Sequence, residues 1–211
     1  VAVCGTGANT AARSADGKVW HTSWWQDAQG AHYLGIQALQ AVYRAELGID
    51  PPTALTAAVL RHFERECVEE IVYLFSARGV ADSAYAKVGS LSKVLFDTAH
   101  AGDPTAHALV RKHGEALGGY VLAAARRVGI EKLPFTLVLT GGVLRHPSRL
   151  MPEALIARVQ AEAPGANPVY SIFEPAVGAL LLAFEAAGIT VDEPLLERLA
   201  ATLPQSSLFA T

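Results

Sequence analysis

Two glycine-bearing turns carry the residue types and spacings best suited to chemistry in this chain. In the first, Gly5-Thr6-Gly7-Ala8-Asn9 joins two short apolar segments. Its glycines permit unusual backbone angles and remove side chains that would block a ligand, so several N–H groups can aim at a phosphate, with Thr6 and Asn9 as added donors. A plain tight hairpin needs the same glycines. In the second, Thr140-Gly141-Gly142-Val143 follows the apolar run Phe135–Leu139 and precedes a helical pattern. Open α/β sheets bind ligands at this position, although close strand-to-helix packing also calls for glycine. The chain contains neither GxxxxGK[ST] nor GxGxxG, which argues against a P-loop or a Rossmann dinucleotide site.

Other constellations are poor. The seven histidines are scattered without nucleophile or metal-ligand spacing, and there is no GxSxG elbow. No metal site and no catalytic residue is read from the chain. Cys4 lies in an apolar strand pattern and Cys67 in a helical one, so both are expected as buried reduced thiols. Trp24-Trp25 stands in a polar loop, where one ring is expected to pack and the other can stack on a sugar or a partner surface.

The elements around these turns follow from pattern. Val1–Cys4, Asn9–Arg13 and Lys18–Thr22 read as strands, the last two joined by an Asp16-Gly17 turn. Helical periodicity starts after Gly30 and continues through one or two helices from Thr53 to Gly79. Asp82 is expected to cap a helix bearing Tyr85, Val88, Leu91 and Leu95, and Asp103-Pro104 to cap the next. Phe135–Leu139 is a buried strand, Pro147-Ser148 opens a helix, Pro168–Ile172 is a strand, and Glu174-Pro175 leads into a small-residue helix over Ala176–Ala187. A hairpin followed by helices alternating with single strands predicts one α/β domain over residues 1–211.

Composition narrows the partners. Half the chain (51%) is hydrophobic, enough for a sizeable core, and 17 basic against 20 acidic residues give a net charge of -3. No basic block invites nucleic acid. The longest apolar run, Ala176–Phe184, is about half the ~20 residues of a membrane span. With no signal-like start, these features predict a cytoplasmic protein, and Val1–Gly5 reads as a strand already in progress.

Taken in order, the motifs resemble the second domain of the N-acetylglucosamine kinases and BadF/BcrA-type ATPases of the actin-like ATPase superfamily. Val3–Asn9 resembles the second phosphate loop of that group, a strand ending in GTGS, with Ala8 in place of the serine. Gly30–Leu39 is similar to the helix after its substrate loop, and Ala101-Gly102-Asp103-Pro104-Thr105-Ala106 to its AGDPxA helix start. Leu139–Val143 resembles the adenosine motif, and Pro175–Ala183 the closing PAVGAALLA helix.

The resemblance implies a ribonuclease-H-like domain, a mixed sheet with antiparallel N-terminal strands and helices on both faces. It implies ATP and Mg²⁺, with phosphates on Gly5, Thr6, Gly7 and Asn9 and adenosine against Gly141, Gly142 and Val143. It further implies that a first lobe, carrying the other phosphate loop and the catalytic base, is absent from this chain, which alone would be inactive. Where the group carries a tryptophan and a GDEGS-like segment, this chain has Trp24, Asp27, Gln29 and Gly30 as substrate-loop candidates. Gln29 stands at the acidic position and Ala31 at the serine. The leading expectation is phosphorylation of an amino sugar or similar hydroxyl compound. Its alternatives are a non-catalytic nucleotide sensor and an activator ATPase whose cysteines hold an iron–sulfur cluster across a dimer. The expected partners are the first lobe, a small sugar and a second copy in a homodimer.

Overall fold

The computed structural model describes residues 1–27, 29–77, 87–173 and 175–202. Its centre is a five-stranded mixed sheet in the order β3-β2-β1-β4-β5, built from β1 (Ala2–Cys4), β2 (Ala8–Arg13), β3 (Val19–His21), β4 (Phe135–Thr140) and β5 (Ala166–Tyr170). β1, β2 and β3 pair antiparallel, whereas β4 joins β1 in parallel and β5 joins β4 in parallel. This is the ribonuclease-H-like arrangement. The Asp16-Gly17 turn closes β2 on β3 as its sequence requires, with Gly17 at φ 88° and its N–H donating to Ser14 O at 3.0 Å.

Alternation along the central strands settles the two faces of the sheet. Ala2, Cys4, Leu137 and Leu139 are buried on one face, and Val3 and Val138 are half-buried on the other. The helices are α1 (Ala31–Glu46), α2 (Ala54–Phe63), α3 (Val68–Ser76), α4 (Leu91–His100, entered through a 3₁₀ turn at Val88–Ser90), α5 (Pro104–Val128), α6 (Leu150–Gln160), α7 (Pro175–Ala186) and α8 (Glu193–Thr202). α5 packs on β2 and β3 and, on its other side, closely against α6 and α4. The core joins Cys4, Leu34, Leu95, Leu117, Leu122, Leu139 and Met151 into one cluster.

Asp103 is the polar joint of the helical layer. Its Oδ1 accepts from Ala106 N–H at 2.8 Å and caps α5, and its Oδ2 accepts from Ala54 N–H at 2.8 Å at the start of α2. The Thr53 hydroxyl, itself the cap of α2, bonds the same carboxylate at 2.9 Å. At its far end α5 stops in the left-handed Gly129 (φ 80°), whose N–H and that of Ile130 close onto Arg126 O and Ala125 O.

Several sequence expectations shift. The described part of the Thr53–Gly79 stretch, up to residue 77, holds two helices, because Glu64 turns left-handed (φ 54°) and α3 starts afresh with Cys67 at its N-cap position. Cys67 is therefore exposed rather than buried, since a capping residue lies outside the apolar face of its helix. The helix expected from Pro147-Ser148 begins at Leu150. β5 spans Ala166–Tyr170 rather than Pro168–Ile172: it pairs only with β4, and an edge strand tolerates the missing N–H of Pro168 inside its ladder. Asp82, Tyr85, Gly79 and Glu174 lie outside the described residues. α8 was not expected, yet Asp192-Glu193-Pro194 carries the signal, with Asp192 Oδ1 accepting from Leu195 N–H at 3.0 Å.

Two glycines of α5 give opposite stability changes. A Cβ on Gly114 would stand 2.8 Å from Ala154 Cβ of α6, whereas one on Gly119 meets nothing within 4 Å. Gly114→Ala should lower unfolding free energy by about 1–3 kcal/mol through overpacking. Gly119→Ala should raise it by about 0.5–1 kcal/mol through helix propensity. Urea denaturation of the two variants measures the sign of each.

Candidate functional site

The two glycine turns and the substrate-loop segment converge at the carboxyl ends of β1 and β4. The turn after β1 is held by Gly5 N–H donating to Gly7 O at 2.8 Å. Thr6 and Gly7 are exposed, and their N–H groups have no acceptor among the described residues. Two backbone bonds fasten this turn to the start of α1: Ala31 N–H to Gly5 O at 2.8 Å and His32 N–H to Thr6 O at 3.2 Å. Gly30 makes that junction possible. It sits at φ 104°, and a Cβ there would lie 2.6 Å from Gly7 C and 2.8 Å from Gly7 O.

The turn after β4 touches the same strand from the other side. Gly141, at φ 98°, lies with its α-carbon against Cys4, so a Cβ would come within 2.6 Å of Cys4 C and 2.9 Å of Cys4 N. Gly142 opens a 3₁₀ turn through Arg145 and is exposed, while Val143 is buried beneath it. Arg145 then ties this turn to the segment after β5, donating to Ser171 O at 2.9 Å and Phe173 O at 3.3 Å. Three loops, after β1, β4 and β5, thus form one rim. Thr140 Oγ1, at the head of β4, is buried with no hydrogen-bond partner among the described residues, as is Gln29 Oε1 beside Gly30.

Asn9, expected to add a phosphate donor, turns away from the Gly5–Gly7 turn. Its Nδ2 donates to Ser23 Oγ at 2.6 Å, and its Oδ1 faces the Thr22 hydroxyl at 3.1 Å. Thr22, fully buried, is the hub of a network that the sequence reading missed. Its Oγ1 accepts from Thr10 N–H at 3.0 Å and stands against the Thr10 hydroxyl and Gln26 Oε1, while Gln26 Nε2 donates to Ala8 O at 2.8 Å. Asp27 N–H donates to Tyr120 Oη of α5 at 2.9 Å. A threonine at the end of a short strand gives little sign of such a role in sequence alone. The network holds the segment firmly while Trp24 and Trp25 stand 91% and 75% exposed. The expectation that one ring packs in the core is corrected: the loop is fixed by polar contacts beneath it, and both rings project outward.

His146 Nε2 faces Asp97 Oδ1 at 3.2 Å and its ring packs 5.0 Å from Phe96, pinning the end of the turn after Val143 to α4. Burial holds the His146 imidazole below its ordinary pKa, with the Asp97 carboxylate opposing that shift. Burial also pushes the Cys4 thiol up to about 12. Among the described residues no group of three or more His, Cys, Asp or Glu side chains is placed to hold a metal, and no helix is long and apolar enough to cross a membrane.

A ribonuclease-H-like sheet with glycine turns at the ends of β1 and β4 has the fold of the actin-like ATPases. The chain belongs to the BadF/BadG/BcrA/BcrD ATPase family, whose model matches residues 1–183. Its fold is similar to the crystal structure of a protein from Chromobacterium violaceum designated an N-acetylglucosamine kinase, with a TM-score of 0.60 at 24% identity. That match covers 86% of this chain and 57% of the other, so the chain spans little more than half of that protein's length. Among curated proteins none matches.

Two measurements check this geometry. Gly141→Ala should weaken ATP binding at least tenfold in calorimetry, because the added methyl must displace the Cys4 backbone that carries the turn after β1. A thiol titration of the native protein at pH 8 should count Cys67 and leave Cys4 silent until denaturant is added, since only the thiolate reacts.

Proposed function

We propose that this chain is the nucleotide-binding lobe of a kinase that transfers the γ-phosphoryl group of ATP to a hydroxyl of a sugar or sugar-like compound. The observation that carries this reading is the pair of open Thr6 and Gly7 amides on a turn fastened to the start of α1 by Ala31 and His32. Unpaired backbone donors at a fixed turn suit phosphate oxygens, and the same fastening brings the Trp24–Gly30 segment alongside. In this reading Gly5, Thr6 and Gly7 hold phosphates, Gly141, Gly142 and Val143 flank the adenosine, and Asn9 braces the substrate loop. Trp24 and Asp27 face the acceptor, and the buried Gln29 and Gly30 set the position of the loop.

The turns supply backbone donors and the Thr6 hydroxyl but no carboxylate in residues 5–9 or 140–143. They fit a triphosphate, while the protein ligands of Mg²⁺ belong elsewhere in the intact protein. Mg²⁺ bound with ATP neutralises charge on the transferring phosphoryl group. Positioning dominates phosphoryl transfer, so one lobe alone does not catalyse it. A second lobe is also supported by α7, which carries one charged residue in twelve and leaves Leu180 and Leu182 40% and 61% exposed. A helix apolar around its circumference calls for burial on more than one side.

One specific observation favours a second reading, a nucleotide sensor without transfer: Gln29 and Ala31 replace a charge and a hydroxyl in the acceptor segment. The iron–sulfur activator reading is weaker, because Cys4 is buried and leaves Cys67 as the sole exposed cysteine of each copy. A cluster needs about four such ligands.

The intact protein should release ADP from ATP only when a hydroxylated sugar is present. A screen of sugars by ADP release tests this, and ATP binding without turnover on any sugar would select the sensor. Thr22→Val, which unhooks the substrate loop, should raise the sugar KM severalfold and leave the ATP Kd unchanged.

A further inference from the structure

Arg149 is placed in a way that its role in the fold does not account for. It adopts φ 56°, one of two non-glycine residues at positive φ among those described, at the start of α6. Side chains adopt this region at a cost, and it recurs at binding sites. Backbone bonds fix it on both sides, Arg149 N–H to His146 O at 3.2 Å and Glu153 N–H to Arg149 O at 2.9 Å. Its guanidinium lies over the Tyr170 ring, 4.5 Å from the centroid. Arg149 is exposed, and no carboxylate pairs with it among the described residues.

This stacked pair stands on the rim already described. Tyr170 is the last residue of β5, opposite Leu139, and the next residue, Ser171, donates its N–H to Leu139 O at 2.9 Å. The turn that begins at Gly141 ends at Arg149, and Arg145 within it grips Ser171 and Phe173. β1 and β5 are separated by β4 alone. Tyr170 is level with Ala2 through Leu139, so at about 4.8 Å per strand and about 3.3 Å per residue it lies roughly 14 Å from Gly5, a span that an extended nucleotide covers from its phosphates to its base.

We propose that Arg149, backed by Tyr170, is the shelf on which the base of the bound nucleotide stacks. The inference rests on the reading that phosphates sit at Gly5–Gly7. A guanidinium is planar and weakly hydrated, so one face can lie on an aromatic ring while the other receives a flat heterocycle. Tyr170 holds the cation flat without neutralising it, whereas a carboxylate partner would pull it edge-on into an ion pair.

The test compares ATP with inorganic tripolyphosphate by calorimetry on the intact protein, using Arg149→Lys and Arg149→Gly. Lysine keeps the charge and loses the plane; glycine suits the backbone angle, so loss of fold does not confuse its result. Both variants should bind ATP about tenfold more weakly while tripolyphosphate affinity stays unchanged. Unchanged ATP affinity in both variants overturns the shelf. Equal loss for ATP and tripolyphosphate also overturns it, since Arg149 would then be a phosphate ligand. If the unmodified protein binds neither compound, the phosphate-turn reading itself fails, and the shelf with it.

Discussion

The site depends on two places where backbone meets backbone with no side chain between. Gly30 rests on Gly7 and Gly141 rests on Cys4, each at a positive φ and each at a separation that a single Cβ would forbid. β1 is only three residues long, so the turn at its end has little of its own to fix it. It is fixed by being trapped, with the start of α1 on one side and the turn after β4 on the other. Every proposed phosphate contact is a main-chain group whose direction is set by those two contacts, and any residue larger than glycine would tilt it.

The rim and the loop beside it are stiffened in different ways. The turns after β1, β4 and β5 are joined through main-chain bonds and the Arg145 side chain. The Trp24–Asp27 segment hangs instead from buried or half-buried polar side chains, Thr22, Thr10, Gln26 and Asn9, with a tether to Tyr120 on α5. Hydrogen bonds of this kind lose little to water when buried and specify one arrangement. This frame holds both tryptophans out into solvent.

Much of this was legible before any coordinates. Phe135–Leu139 had to be a strand, the glycines after it had to be close to something, and Asp103-Pro104 had to start a helix, because each follows from local sterics or capping. The ordered motifs carried the fold class. What escaped depended on partners distant in sequence. Nothing near Asn9 announces that its amide serves Ser23 and Thr22, and nothing near Cys67 says that the helix begins one residue later. The lower edge of β5 was hidden by Pro168, which reads as a boundary until the strand is known to lie at the sheet edge. Arg149 is a sharper case, since its backbone angle follows from the turn and helix around it and not from any preference of arginine.

Asp103 has a further meaning in time. Its carboxylate joins Thr53 to the start of α5 across 50 positions, and in doing so closes α2, α3 and α4 into one loop of modest length. Loop closure costs more as the loop grows, though slowly, and contacts between near segments form sooner than contacts between far ones. The pairing of β1 with β4 joins residues 137 positions apart, Ala2 and Leu139. The helical layer can therefore take shape first, around a single acid, and present α5 as a template on which the sheet, and with it the rim of turns after β1, β4 and β5, is completed last.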